Sequence, residues 1–310
     1  GLLMIPILSA LLPTFALIVL GYVLRQRRFL PDTFWPGAEK LTYFVTFPAL
    51  LFSNTAKADL GSLPLFGITS AMLGTIAICT VLIMVLKPVL KVSPAAFSSL
   101  VQGAIRPNTY IGLAVAAALL GTSGLTVTAL CVALVVPTVN VISVLACAHW
   151  GDNDRTPGLL SLLRDVCKNP LLMACVLGSL FNVSGIGLPP VIGPFLEVLG
   201  RAALPIGLLA VGAGLDLKAA RNVGVPVGIS TFGKLAISPA IAAGLCFALG
   251  LPPIESAAVV LYAALPCSAS AYVLARLMGG DAQMMASIIT VHTLVAIITM
   301  PIIAVLMHVV

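Results

Sequence analysis

Apolar residues fill most of this chain in ten long stretches, separated by short polar or Gly/Pro-rich breaks. The stretches cover about 2–24, 38–56, 63–86, 96–120, 125–149, 170–184, 191–215, 224–249, 255–278 and 282–309. The breaks are Pro31-Asp32, Gly61, Lys91/Pro94, Gly121–Gly124, the polar stretch Gly151–Gly158, Pro189-Pro190, Arg221/Gly224, Pro252-Pro253 and Gly279-Gly280-Asp281. A membrane-spanning helix needs about 20 apolar residues. A transmembrane barrel strand would instead alternate apolar and polar residues over about ten positions. These runs are continuously apolar, so the pattern predicts ten transmembrane helices. The sixth is short. Asn169-Pro170 supplies it with an N-cap and a first-turn proline, and Leu159–Val166 before it reads as an amphipathic lead-in at the membrane surface.

Composition sharpens this reading. Of 310 residues, 60% are apolar and only 8% are charged, whereas soluble domains run at about 25% charged. A soluble enzyme and a disordered chain are both excluded. The seven cysteines stand singly in apolar stretches with no CxxC or Cys/His cluster. They read as small core hydrophobes rather than a metal site or disulfide framework. No cofactor is indicated.

The net charge of +6 is explained by topology. Odd-numbered loops and their flanking helix ends hold Arg25, Arg27, Arg28, Lys40, Lys87, Lys91, Arg155, Arg164, Lys168, Lys218, Arg221 and Arg276. Lys57 alone lies on the other side, while Arg106, Arg201 and Lys234 lie inside runs. By the positive-inside rule, the loop at 150–168 is expected in the cytoplasm and both termini outside. The first run has no preceding positive charge and is followed by three arginines, the reverse of a secretory signal, so it is expected to be a retained span. Basicity is therefore not read as a nucleic-acid footprint.

Five spans precede the polar stretch and five follow it, so the two halves must have opposite orientation. The expected units are 1–150, a linker at 151–168, and 169–310. Landmarks recur between the halves. Pro48 in run 2 matches Pro205 in run 7, 157 positions on, and Pro107 in run 4 matches Pro266 in run 9, 159 positions on. Matched proline-interrupted helices in inverted halves point to a secondary transporter and to its binding site. Pro107 and Pro266 each lie about 11 residues into their runs, roughly 16 Å deep at 1.5 Å per residue. A helix restarting after such a break exposes first-turn N–H groups that attract anions.

The chain resembles the auxin efflux carrier family in its bacterial branch over about 3–309. The motifs that carry the resemblance are Thr46-Phe47-Pro48-Ala49-Leu50-Leu51-Phe52, Arg106-Pro107-Asn108-Thr109-Tyr110-Ile111-Gly112, Lys168-Asn169-Pro170, Ala203-Leu204-Pro205-Ile206-Gly207, and Ala264-Leu265-Pro266 with Ala271-Tyr272-Val273-Leu274-Ala275. The resemblance implies the bile-acid/sodium symporter fold, an all-α polytopic membrane protein with ten transmembrane helices as two inverted five-helix repeats, helices 4 and 9 being broken and crossing. It implies a scaffold of about 2–24, 38–56, 170–184 and 191–215, often the homodimer contact. A mobile transport domain of about 63–149 and 224–309 is implied as well. An organic-anion substrate is implied too: auxin in plant members, malonate- or malate-like acids in bacterial ones. A multi-pass inner-membrane location follows.

Candidate substrate-binding residues are Asn108, Arg106, Thr109, Tyr110, Asn140, Ser268 and Ser270, gathered around the breaks at Pro107 and Pro266. Each has a plainer reading. Asn108 could serve only the broken backbone, Arg106 could cap carbonyls or pair structurally, and Tyr110 and Tyr272 could be core. Lys234 in run 8 is a candidate for ion or proton coupling, a fixed cation in place of Na+, or a donor to carbonyls loosened near the breaks. His292 in run 10 is a candidate proton carrier or a packed core histidine. Coupling to H+ or Na+ stays undetermined. Glu197 and Arg201, spaced i,i+4, are expected to pair. Two other classes compete with a carrier. One is a passive anion channel. The other is a rhomboid-like serine protease built on Gly121-Thr122-Ser123-Gly124 with His292, although glycine in a tight turn explains that tetrapeptide equally.

Overall fold

The computed structural model describes residues 4–154, 157–221 and 223–309. Arg155, counted above among the cytoplasmic charges, and the first three residues of the chain lie outside them. Every regular element among the described residues is a helix, with one isolated antiparallel bridge, Pro107–Cys267. The helices are α1 Met4–Gln26, α2 Phe34–Leu41, α3 Phe47–Lys57, α4 Leu65–Leu90, α5 Pro94–Ile105, α6 Thr109–Trp150, α7 Leu159–Cys167 and α8 Pro170–Ser184. They continue with α9 Ile192–Arg201, α10 Ala203–Ala213, α11 Leu217–Arg221, α12 Val225–Phe232, α13 Ser238–Ala248, α14 Pro253–Ala263, α15 Ser270–Leu277 and α16 Ala282–Leu306.

Six helical stretches are long and apolar enough to cross a bilayer: Met4–Gln26, Leu65–Leu90, Thr109–Trp150, Ile192–Ala213, Val225–Ala248 and Ala282–Leu306. A seventh forms if α7 and α8, bent by 57°, are taken as one span. The chain is thus an all-helical, multi-pass membrane protein. The 42-residue α6 is two helices joined at Gly121, whose φ of 65° and ψ of −155° suit only glycine. The turn expected at Gly121–Gly124 is therefore a single residue wide.

Elsewhere the boundaries follow local chemistry. Ser93 caps α5 through Ala96 N–H, Asn169 caps α8 through Leu171 and Leu172, and Asp281 caps α16 through Met284. Run 3 extends four residues beyond the expected end, through Pro88 to Leu90, and stops at Lys91 in the left-handed region. The prolines of runs 2 and 7 do not interrupt their helices as those of runs 4 and 9 do. Pro48 follows a π-helical turn over Thr42–Thr46, which absorbs the missing donor. Pro205 sits in the first turn of α10, after a step at Ala202. A second π turn, Gly233–Ile237, precedes Pro239.

Two groupings of helices stand out. α1 packs along α10, and α3 packs along α8. The first pair approaches so closely that a Cβ on Gly21 would meet the Leu209 carbonyl and one on Gly212 would meet the Ile18 carbonyl. In the second, Asn182 of α8 donates to the Thr55 and Ala56 carbonyls, both at 3.2 Å, and to Ala58 at the end of α3. The other group packs α4 and α14 on α13, with α5 against the second half of α6. Glu197 does not pair with Arg201. It meets Lys57 of α3, because α9 lies against α3 and that cation is nearer than its own helix neighbour.

Candidate functional site

The site is built where α5–α6 and α14–α15 are interrupted. Proline has no N–H and cannot continue a helical ladder. The freed backbone groups are satisfied across the gap. Asn108 N–H donates to the Pro266 carbonyl at 2.8 Å, and Ser268 N–H donates to the Arg106 carbonyl at 3.2 Å. The two broken segments therefore cross at Pro107 and Cys267, joined by a two-residue antiparallel ladder. Unpaired backbone deep in an apolar protein would be costly, and this exchange removes most of the cost.

A cavity of ≈ 1220 Å³ ends on this crossing. Arg106, Asn108, Thr109, Tyr110, Asn140, Ser268 and Ser270 all line it, so the seven candidate binding residues are brought together. Asn108 caps α6, its side-chain oxygen accepting from Ile111 N–H at 3.2 Å. The N–H groups of Thr109 and Tyr110 have no acceptor among the described residues. Thr109 lies 3.4 Å from the Tyr262 hydroxyl. Ser268 and Ser270 join their hydroxyls at 2.9 Å. Tyr110 packs edge-on to Phe47 at 4.6 Å, and its ring occupies the space where a side chain on Gly207 would be.

Arg106 is 7% exposed. Its Nη2 donates to Ser270 Oγ at 2.7 Å. No carboxylate lies within ion-pair distance of it among the described residues. A buried charge at membrane depth costs at least about 2.5 kcal/mol even by insertion scales. Such a group is retained where it meets an anion or water.

Lys234 and His292 are fully buried but do not line this cavity. Lys234 Nζ donates to the Ala263 carbonyl at 2.8 Å, at the end of α14. That is the third of the three readings above, a donor to a loosened carbonyl. His292 Nδ1 accepts from Cys267 N–H at 3.3 Å, which leaves the proton on Nε2, 3.1 Å from Ser230 Oγ. The protease geometry is absent: Ser123 is exposed, and both ring nitrogens of His292 are engaged by other groups. Six of the seven cysteines are buried, while Cys167 is exposed.

Many of the lining residues are not candidates in the sequence reading, and Tyr43, Arg25 and Asp216 are examples. Tyr43 lies in the π turn at Thr42–Thr46 and lines the cavity, and the proline of its run, Pro48, does not single it out. Arg25, placed by sequence only as a loop charge, also lines the cavity and donates to the Ala213 carbonyl at 2.7 Å. Asp216 reaches it from the turn before α11.

Comparison with known proteins gives the family. The model of a family described as "Membrane transport protein", of the auxin efflux carrier type, matches residues 6–154 and 158–304. The chain belongs to this membrane transport family. It is 25% identical over 301 residues to an "Uncharacterized transporter" of Methanothermobacter thermautotrophicus, covering 94% of this chain and 96% of the relative. It is 22% identical over 302 residues to a protein named "Putative malonate transporter" from Rhizobium meliloti, covering 96% and 94%.

Proposed function

We propose that this protein is a secondary carrier of small organic anions, with malonate- or malate-like carboxylates as the first class to test. One observation carries the reading: Arg106, a buried guanidinium with no carboxylate partner among the described residues, stands at the end of a large cavity beside a broken-helix crossing. The Arg106 Nη1, the side-chain amide of Asn108 and the free N–H groups of Thr109 and Tyr110 together form a donor set for one carboxylate. Asn140, Ser268 and Ser270 complete the polar wall. The name of the Rhizobium relative supports malonate as a probe.

In this reading the chain has ten spans in two inverted repeats, 1–150 and 169–310, joined by 151–168. Spans 4 and 9 are α5 with the first half of α6, and α14 with α15. The close α1–α10 and α3–α8 pairs support a scaffold of spans 1, 2, 6 and 7, whose outer face would also hold a homodimer. Spans 3–5 and 8–10 form the transport domain. The cavity reaches the ends of α1, α7 and α11 at Gln26, Asp165 and Arg221. Those ends carry the excess of Lys and Arg, so the positive-inside rule makes this an inward-open form in a plasma (inner) membrane.

Alternating access fits better than a passive pore. The cavity ends at the crossing, where Tyr110 is wedged against Phe47 and Gly207. Transport then requires the crossing to move past the scaffold. Charge movement in proteoliposomes on a solid-supported membrane tests this, with malonate, malate, succinate and indole-acetate, each with and without a Na+ or pH gradient. Saturable currents or radiolabel counterflow that depend on Arg106 are expected. Unitary channel conductances, or no counterflow with any of the acids, would overturn it.

A further inference from the structure

Next to the cavity, which Gln102 and Ser143 do not line, three buried polar atoms lack a partner among the described residues: Arg106 Nε, Gln102 Oε1 and Ser143 Oγ. They belong to one contact surface. Phe97 of α5 stacks edge-on against Trp150 of α6 at 4.8 Å, and Gln102 Nε2 donates to Cys147 Sγ at 3.5 Å. Residue numbers rise on α5 as they fall on α6, so the two helices pack antiparallel. Arg106, whose N–H closes the last turn of α5 on the Gln102 carbonyl at 2.9 Å, is one turn beyond Gln102, and Ser143 is one turn before Cys147, so the helical register sets the two positions opposite each other. The Gln102 amide can be turned over, but either orientation leaves one of its two polar atoms unpaired.

Native interiors rarely leave such groups orphaned, and a polar pocket with two to four partners is where an internal water sits. The chemistry here is complementary. Nε–H donates, the Gln102 amide oxygen accepts, and the Ser143 hydroxyl does either. We propose that Gln102 and Ser143 are positioning residues that hold Arg106 through one shared buried water. The water fixes Nε, and Ser270 fixes Nη2. The guanidinium is then pinned at two corners with Nη1 left for the cavity. Substrate is engaged end-on, through Nη1, rather than by the Nε edge. The proposal rests on the carrier reading for its consequence in transport, but not for the water itself.

Two measurements test it. Purified protein is exposed to a pulse of X-ray-generated hydroxyl radicals, and labelling is read by mass spectrometry at Cys147. Cys131, equally buried on the same helix, is the internal control. Cys147 is expected to be labelled well above Cys131 in the wild type and to fall to the control level in the Gln102→Met/Ser143→Ala double variant. A wild-type Cys147 no more reactive than Cys131 would overturn the water, whatever the protein transports. In proteoliposomes, Gln102→Met and Ser143→Ala are each expected to raise the KM for malonate about tenfold with maximal rate retained, the double variant costing no more than either alone. In an Arg106→Lys background neither should matter. Additive effects, or effects that persist without Arg106, would show the two residues acting elsewhere. If Arg106→Gln itself leaves malonate transport unchanged, the carrier site is wrong, and the radical labelling still judges the water separately.

Discussion

Lys234 and Ala263 are joined by a 2.8 Å hydrogen bond from ammonium to carbonyl. The bond closes the C-terminus of α14 at the depth where the ninth run is interrupted. A cation there meets both the unpaired carbonyl and the negative end of the half-helix. Nothing about this arrangement depends on a coupling ion. Replacement by methionine should lower stability by about 1–3 kcal/mol, the cost of an unmet buried acceptor, and thermal melts in detergent would show it. The gradient dependence of any remaining transport should match the wild type. A variant of normal stability that gains or loses Na+ dependence would return Lys234 to the coupling machinery.

His292 makes the matching repair on the other side of the break. Its Nδ1 accepts from Cys267 N–H, and its Nε2 faces Ser230. A proton carrier needs a route to the cavity, and this ring has none of its atoms there. His292→Asn should preserve the shape of the pH–rate profile while lowering stability by about 1–2 kcal/mol. A lost inflection in that profile, measured from counterflow between pH 5 and 8, would contradict the structural role.

How much of this was legible in sequence divides along physical lines. Prolines, charges and polar amides inside apolar runs are expensive, so Pro107, Pro266, Arg106 and Asn108 announced themselves; Arg106, Pro107 and Asn108 line one cavity, and the Pro266 carbonyl accepts from Asn108 N–H at its edge. The offset between the proline pairs suggested equivalent breaks in runs 2 and 7. There the chain absorbs the proline by a π turn at Thr42–Thr46 and by a first-turn position in α10. Partner choice was the least visible. Glu197 with Lys57, Lys234 with Ala263 and Gln102 with Cys147 join residues far apart in the chain. Run spacing fixes neither which helices become neighbours nor their rotation, and Tyr43 at the cavity is such a case.

Asn108 separates capping from substrate binding. Its oxygen caps α6 through Ile111, which leaves its NH2 as the donor for a carboxylate. Asn108→Asp keeps the cap oxygen and replaces the donor with a negative charge. It should fold normally and lose malonate affinity by about 10- to 100-fold. Asn108→Ala should lose the same affinity and also about 1 kcal/mol of stability from the cap. Arg106→Gln should resemble Asn108→Asp in affinity. Unchanged KM in Asn108→Asp would leave the residue a cap and nothing more.

The tightest constraint on the scaffold lies between α1 and α10. A Cβ on Gly212 would fall on the Ile18 carbonyl oxygen, and one on Gly21 on that of Leu209. Backbone cannot swing aside as a side chain can, so the helices must separate. Small residues allow such approaches in membranes, where dispersion contacts and packing replace the hydrophobic drive. Gly212→Ala should therefore cost about 1–3 kcal/mol through overpacking, despite adding a single methyl to an apolar face. Gly244, where an added Cβ meets nothing, supplies the control, since alanine there should be neutral or slightly stabilising through helix propensity. Melting temperatures of the two variants in one detergent settle the matter. Equal melts would mean that α1 and α10 stand further apart than these glycines imply, and the pairing that defines the proposed scaffold would lose its strongest support.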